Sequence, residues 1–414
     1  MKRSVCVAGG GASGMMAAIA AARAGADVTI LEKNDRPGKK ILMTGNGKCN
    51  LTNLDMGIFA YYIEDGASPV GRILEQFDEK ALIELFKELG MDVTVARDSY
   101  VYPKTQTAST VLNVLRRALK EFGVSCKTDT KVTNIKKESS GFSIETDKGA
   151  FFADRVIISM GGKSFPKTGS DGDGFLLAKK LGFSMQPDYP ALTALICPVE
   201  GQRMISGLRA DGEVSLLIDG KKVFRDSGQI QFTDYGISGI PVFQVSRFAS
   251  ALLWNRNKGK KARRRIEAAV NLFPDMVEDE LFLKIEGQLK RFSGMTYEEA
   301  MTGLLHKKWI EFFGKRLGLF SYPDAGSIPQ KTVKELASEL VKLSFPVEGV
   351  KGYDFCQVTG GGVDLSCVDE HLQAKAYPGL FLTGELLDVT GKCGGYNLQW
   401  AFSTGYIAGT CAAE

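Results

Sequence analysis

The sequence predicts an α/β fold whose parallel sheet begins at one end of the chain and is completed at the other, with a β-rich region and a small helical domain inserted between. Three observations carry this reading. The chain opens with strand, glycine turn, helix, strand and acid in that order; a later apolar strand, Arg155 to Ser159, ends in Met160-Gly161-Gly162; and a second glycine turn, Gly391 to Asn397, precedes a final helix, Leu398 to Ala413. The first strand is Val5-Cys6-Val7-Ala8, which runs into Gly9-Gly10-Gly11-Ala12-Ser13-Gly14 and the small-residue stretch Met15 to Ala22, and Val28 to Leu31 is closed by Glu32. Each residue type suits a Rossmann-like dinucleotide site. Gly9 permits the tight turn, Gly11 lets the backbone approach a pyrophosphate, Gly14 allows close packing of helix on sheet, and Glu32 can accept from a ribose hydroxyl. The helix that starts at Ala12 and Ser13 turns its positive end and free amides toward the phosphates. An acid at Glu32 suits the unphosphorylated ribose of FAD or NAD.

A polar loop, Asn34 to Asn53, follows and is too long for a casual connection, so it is expected to be functional. Lys80 to Leu89 and Ala108 to Phe122 carry apolar residues at helical spacing and are stopped by Gly90 and Gly123. Asp92 to Ala96, Val124 to Cys126, Lys131 to Ile135, Phe142 to Thr146 and Arg155 to Ser159 read as strands, the last a buried parallel strand returning to the first sheet. From about Pro190 the texture becomes β-rich, with turns expected at Asp211-Gly212 and Asp219-Gly220, and Asp275 to Phe313 reads as helical. The resulting division is a discontinuous cofactor domain, 1–190 and 351–414, a β-rich insertion, 191–274 and 326–350, and a helical insert, 275–325.

Composition narrows the function class. With 414 residues and 44% hydrophobic content the chain can bury a large core and holds two or three domains at ~150 residues each. A net charge of +4 sets up no strong field, so the expected partner is a small-molecule substrate and neither nucleic acid nor membrane. Ala12 to Ala22 is the longest uncharged apolar stretch, well short of the ~20 residues of a membrane span. Lys2-Arg3 is followed by glycines and not by a signal peptide's cleavage site. The eight cysteines lack C-x-x-C or knuckle spacing, and only two histidines, His306 and His371, are present, which predicts a reduced, cytoplasmic protein without a metal centre.

A cofactor touched by glycine turns at both ends of the chain is a long one, and FAD meets that requirement. Gly47-Lys48-Cys49 and Gly391-Lys392-Cys393 imitate the end of a Walker loop, but its earlier glycine would fall on Leu42 and Leu386, and cysteine replaces the magnesium-binding hydroxyl. No second strand-coupled G-x-G-x-x-G and no C-x-x-x-x-C occurs, so NAD(P)H is expected only as a transient reductant. The basic run Lys258, Lys260, Lys261, Arg263, Arg264, Arg265 has no interleaved aromatics and reads as a solvated loop. Tyr100 and Tyr102 alternate as one strand face.

Four segments carry a family resemblance: Gly9 to Gly14 with Glu32-Lys33; Gly38-Lys39-Lys40 through Thr44-Gly45-Asn46-Gly47-Lys48-Cys49-Asn50 to Asn53; Gly161-Gly162 through Gly174; and Gly384-Glu385 through Gly394-Gly395-Tyr396-Asn397 to Trp400. Over nearly its full length the chain resembles the bacterial NAD(P)/FAD-dependent oxidoreductases of the aminoacetone oxidase type, whose relatives include 3-dehydro-bile acid Δ4,6-reductases. The resemblance implies a discontinuous FAD domain with an inserted β region and a small helical domain. It also implies FAD contacts from Lys33, Lys40, Thr44 to Gly47, Asn50, Val132, Gly161 and Gly162, from Gly384 and Glu385 near the ribityl or pyrophosphate, and from Gly394 to Asn397 near the isoalloxazine. Tyr396 and Cys49 stand as candidate proton donors by motif position. The sequence departs from the family at Lys48, usually arginine, and at Asp234, often histidine. The activity implied is reduction of a conjugated enone of a 3-oxo steroid or bile acid; the alternatives are an amine oxidase using oxygen and a flavin-containing RNA-binding or redox-sensing protein.

Overall fold

Strands that are apolar on both faces need cover on both faces, and the first sheet is built this way. In the computed structural model, which describes residues 2–62, 69–96, 99–254 and 264–414, β1 (Ser4–Ala8), β2 (Asp27–Leu31), β3 (Ser125–Lys127), β4 (Arg155–Ile158) and β5 (Leu380–Leu382) form one parallel sheet in the order β5-β4-β1-β2-β3. The buried residues Ile30, Val7, Ile157 and Phe381 stand in register across four of these strands. The strand order reverses between β1 and β4, and in open sheets of this kind the crevice beyond the strands' carboxyl ends at such a switch point is where a ligand binds. The sheet belongs to the first of two compact units, Met1–Pro190 with Tyr353–Glu414; the second is Ala191–Gly352.

Two helices cover the sheet beside the switch point and bring the ends of the chain together. α1 (Ala12–Arg23) lies against α2 (Tyr396–Ala413) at backbone distance, since a Cβ on Gly405 would stand 2.3 Å from the Ser13 carbonyl oxygen and one on Gly409 would stand 2.2 Å from that of Ala17. Only small residues allow ridges to sink so far. The predicted helices are present as Glu79–Glu88 and Ala108–Glu121. Two small antiparallel sheets flank this layer, Val132–Glu138 with Gly141–Thr146 and Gly149–Ala153, and Thr52–Asn53 with Tyr100–Pro103 and Val93–Ala96.

The second unit centres on a seven-stranded sheet whose long hairpin, Arg209–Ile218 with Lys221–Phe232, turns at Asp219-Gly220. Both turn residues have positive φ, +52° and +79°, as a type I′ hairpin requires. The turn expected at Asp211-Gly212 is not one: both residues lie inside the strand, where a Cβ on Gly212 would stand 2.5 Å from the Asn271 carbonyl oxygen of the neighbouring strand. This glycine serves close strand approach and not reversal. The region read as β-rich also holds helices Ile240–Trp254 and Gln330–Val341. In the second of these the buried set Val333, Leu336, Ala337 and Leu340 repeats at helical spacing. The helical run divides into Glu278–Arg291, Tyr297–Met301 and Lys307–Arg316. Lys258, Lys260, Lys261 and Arg263 of the basic run lie outside the described residues. None of the eight cysteines forms a disulfide, and among the described residues no helix is long and apolar enough to cross a membrane.

Where the chain leaves the first unit, Asp188 accepts from Lys163 Nζ at 2.8 Å and from the Tyr353 hydroxyl, tying the outgoing strand to the returning one. Burial works against this carboxylate, but the two donors outweigh it and hold its pKa below the ordinary value. A carboxylate so held stabilises the fold fully above its unfolded pKa of ~3.9 and loses that contribution as pH falls through the folded value. Thermal unfolding should therefore separate wild type from Asp188→Asn at about pH 6, and the gap should narrow progressively as pH falls below about 3.9; an undiminished gap in acid would refute this assignment.

Candidate functional site

The carboxyl ends of four strands open onto one groove. β1 leads to Gly9, β2 to Glu32, β4 to Met160-Gly161 and β5 to Thr383-Gly384-Glu385, and the groove they border holds about 1260 Å³ of space free of protein atoms, its open mouth included. Gly9, Gly11, Ala12, Ser13, Glu32, Lys33, Lys40, Thr44, Val132, Gly161, Glu385 and Asn397, all expected at the cofactor, line it. A Cβ on Gly11 would meet nothing closer than the Ser159 carbonyl oxygen at 4.0 Å, and one on Gly161 only Ser170 Oγ at 3.4 Å and Glu385 at 3.9 Å. These glycines leave a cradle for a ligand's backbone approach. α1 begins at Gly11 and α2 at Gly395, neither helix has a side-chain cap, and both first turns border the groove through Ala12, Ser13, Asn397 and Leu398. Uncapped amides and two positive helix ends make this region receptive to negative charge.

Glu32 is buried and already bonded: Oε2 accepts from the Gly10 amide at 2.8 Å, and Oε1 accepts from the Asn34 amide and side chain at 2.8 and 2.7 Å. A carboxylate offers about four acceptor sites, so one remains for a ribose hydroxyl. Beside it Lys33 reaches Asp171 at 2.5 Å and Asp173 at 2.9 Å, and Lys131 reaches Asp173 at 2.9 Å. Burial opposes the Asp173 charge, yet the two lysines hold its pKa below the usual range.

On another wall, Glu385 Oε2 accepts from Lys40 Nζ at 2.6 Å, while Oε1 accepts from Ser164 Oγ at 3.0 Å and the Thr359 amide at 2.6 Å. Lys40 also donates to Ser164, and Thr359 Oγ1 accepts from the Lys163 and Ser164 amides at 2.7 and 3.1 Å. Four separate segments are joined around one carboxylate. Gly384 is fixed behind it, its amide donating to Thr404 Oγ1 at 2.9 Å and its carbonyl accepting from Trp400 Nε1 at 3.1 Å.

The remaining expected residues stand behind the lining. A Cβ on Gly14 would stand 1.9 Å from the Gly9 carbonyl oxygen, and Gly162 packs on Thr359. Gly45, Asn46 and Gly47 shape the loop before Asn50, whose buried Oδ1 has no partner among the described residues. Gly394 and Gly395 pack on Tyr100 and Thr52. Cys49, a candidate proton donor by motif position, is fully buried and off the groove, and burial pushes its thiol up to about 12. Tyr396, the other candidate, does not line the groove; its hydroxyl donates to the Asp55 carbonyl at 3.1 Å, and burial raises its pKa to about 12. Sequence reasoning missed Asn34, Lys131, Gln357, Val358 and Trp400 on the lining. Trp400 lies one helical turn beyond Asn397 and was within reach of periodicity; Gln357 carries no local signal.

A switch-point groove, open glycines, a carboxylate with an acceptor site left over and paired helix ends fit a dinucleotide and define a Rossmann-type site. The chain belongs to the HI0933-like protein Rossmann domain family, whose model matches residues 3–411. It is similar to 3-dehydro-bile acid delta(4,6)-reductase of Clostridium scindens, 38% identical over 411 residues that cover 99% of this chain and 98% of the relative. It is also similar to ribosomal RNA dihydrouridine synthase of Escherichia coli, 27% identical with 99% and 96% covered. Among solved structures, 3-ketosteroid delta1-dehydrogenase from Sterolibacterium denitrificans shares the fold with a TM-score of 0.50 at 13% identity, covering 99% of each chain. The family resemblance carried by the four sequence segments thus extends over the whole chain, which is an FAD-dependent oxidoreductase.

Proposed function

We propose that this enzyme reduces a carbon–carbon double bond conjugated to the ketone of a 3-oxo steroid or bile-acid-like substrate, with NAD(P)H as the transient reductant. The full-length 38% identity to a 3-dehydro-bile acid delta(4,6)-reductase carries the reading. The second curated relative, a dihydrouridine synthase, is likewise named for a product with hydrogen added to a ring, which favours a reductase over an amine oxidase. Glu32 would hold the ribose of FAD, the amides of Ala12 and Ser13 its pyrophosphate, and the first turn of α2 its ring system. Bound there, FAD supplies two-electron hydride chemistry. The net change adds one hydride, drawn from NAD(P)H, to the β-carbon of the enone and one proton to its α-carbon.

The protein's own groups set the field in which this happens. The amides that open α2 put about half a positive charge beside the groove and stabilise negative charge developing there. Lys40, locked to Glu385, adds a fixed dipole and not a free cation. A small-molecule substrate and a cytoplasmic setting accord with the near-balanced charge and with cysteines that form no disulfide. In anaerobic stopped-flow of the holoenzyme, NAD(P)H should bleach the visible flavin band and a 3-oxo-4-ene steroid acid should restore it. Bleaching by amines with peroxide release in air would instead establish the oxidase.

A further inference from the structure

We propose that the turn Gly391-Lys392-Cys393 recognises the anionic end of the substrate: Lys392 pairs with a carboxylate whose apolar body lies across Phe59 and Ile58. This rests on the enone-reductase reading and names what that substrate must carry. The two Gly-Lys-Cys segments, both unsuited to nucleoside triphosphates, differ in what their lysines do. Lys48 Nζ donates to Gln106 Oε1 at 3.2 Å. Lys392 Nζ instead sits 5.3 Å from the centre of the Phe59 ring, and no carboxylate partners it among the described residues.

The turn is rigidly built from the groove wall. Asn397, which lines the groove, accepts through Oδ1 from the Gly391 amide at 2.8 Å and donates through Nδ2 to the Gly391 and Lys392 carbonyls at 3.0 and 3.1 Å. The Lys392 amide donates to the Ala60 carbonyl at 2.8 Å, and Tyr61 bridges Gly391. One set of bonds therefore joins the groove wall to the backbone that carries Lys392 and to the segment that carries Phe59. Phe59 and Ile58 are 58% and 47% exposed, and a large apolar side chain left in water forgoes the free energy that covering it would gain. An exposed apolar pair with one cation complements a ligand with an apolar body and one negative charge. A nucleic acid would call for a run of cations.

The test uses oxidised FAD-loaded enzyme, with binding read from perturbation of the visible flavin band. The probes are a 3-oxo-4-ene cholanoic acid and its methyl ester. Wild type should bind the acid about tenfold more tightly than the ester, the scale of one charge-assisted hydrogen bond. Lys392→Met should shrink that ratio below about threefold, Lys392→Glu should invert it, and Phe59→Ala should weaken both probes about tenfold. A wild-type ratio near one, a ratio unchanged in Lys392→Met, or failure of both probes to bind overturns the proposal. So does Lys392-dependent retention of a short RNA with acid and ester bound alike. If the acid binds through Lys392 but NAD(P)H never reduces it, the enone reading falls and this site stands; if acid and ester are reduced with equal preference, the reading stands and this site falls.

Discussion

Glu32→Arg should purify with little or no flavin, its affinity for added FAD reduced at least about 100-fold, which is ~2.7 kcal/mol. The change does more than remove the proposed ribose acceptor. It withdraws the acceptor of the Gly10 and Asn34 amides, and each buried donor left unpaired costs about 1–3 kcal/mol. It also puts a larger side chain where Glu32 Oε2 and Pro37 already lie 3.2 and 2.8 Å from the site of a Cβ on Gly10. Glu32→Gln, which keeps one acceptor oxygen, should lose only about tenfold. FAD titration followed by fluorescence quenching separates these outcomes, with far-UV circular dichroism to show that both variants fold. Full flavin retention in Glu32→Arg would remove the ribose from this position.

Gly405→Ala should lower stability by about 2–3 kcal/mol, at the upper end of overpacking costs. In a unit of this size that corresponds to a drop of about 4–12 °C in melting temperature. A methyl there would stand 2.3 Å from the Ser13 carbonyl oxygen, so α2 must move away from α1 and draw the phosphate-facing turn out of place. The matched control is Gly287→Ala in the helix Glu278–Arg291, where a Cβ meets nothing within 4 Å. Alanine is the better helix former by ~0.5–1 kcal/mol, so the control should hold or gain stability. The two substitutions are chemically identical, and a fall in both would show that the clash at Ser13 is not the cause.

How much could be read before the coordinates depended on whether the governing physics is local. The parallel sheet was legible because strands covered on both faces stay apolar along their length, as in Val156 to Ile158 and Leu380 to Leu382. The first glycine turn was legible because the positive φ of Gly9, +99°, and the 1.9 Å that would separate a Cβ on Gly14 from the Gly9 carbonyl oxygen are demands set within a few residues. What the groove draws from across the sheet was not. Gln357 and Lys131 arrive from segments whose own sequence says only strand or loop, and the Lys40, Glu385, Ser164 and Thr359 network joins four stretches far apart in the chain. Nor does motif position tell whether a side chain faces the groove: Cys49 is fully buried behind it. Asp211-Gly212 failed for a related reason: a glycine demanded by the neighbouring strand looks the same as one demanded by a turn.

The central claim is that the two ends of this chain build a single FAD site. Its most direct measurement is a titration of flavin-stripped protein with FAD, read from visible absorbance and followed by identification of the flavin released on denaturation. Uptake should saturate at one FAD per chain with a dissociation constant below about 1 μM. A folded protein that takes up no FAD at these concentrations would contradict it.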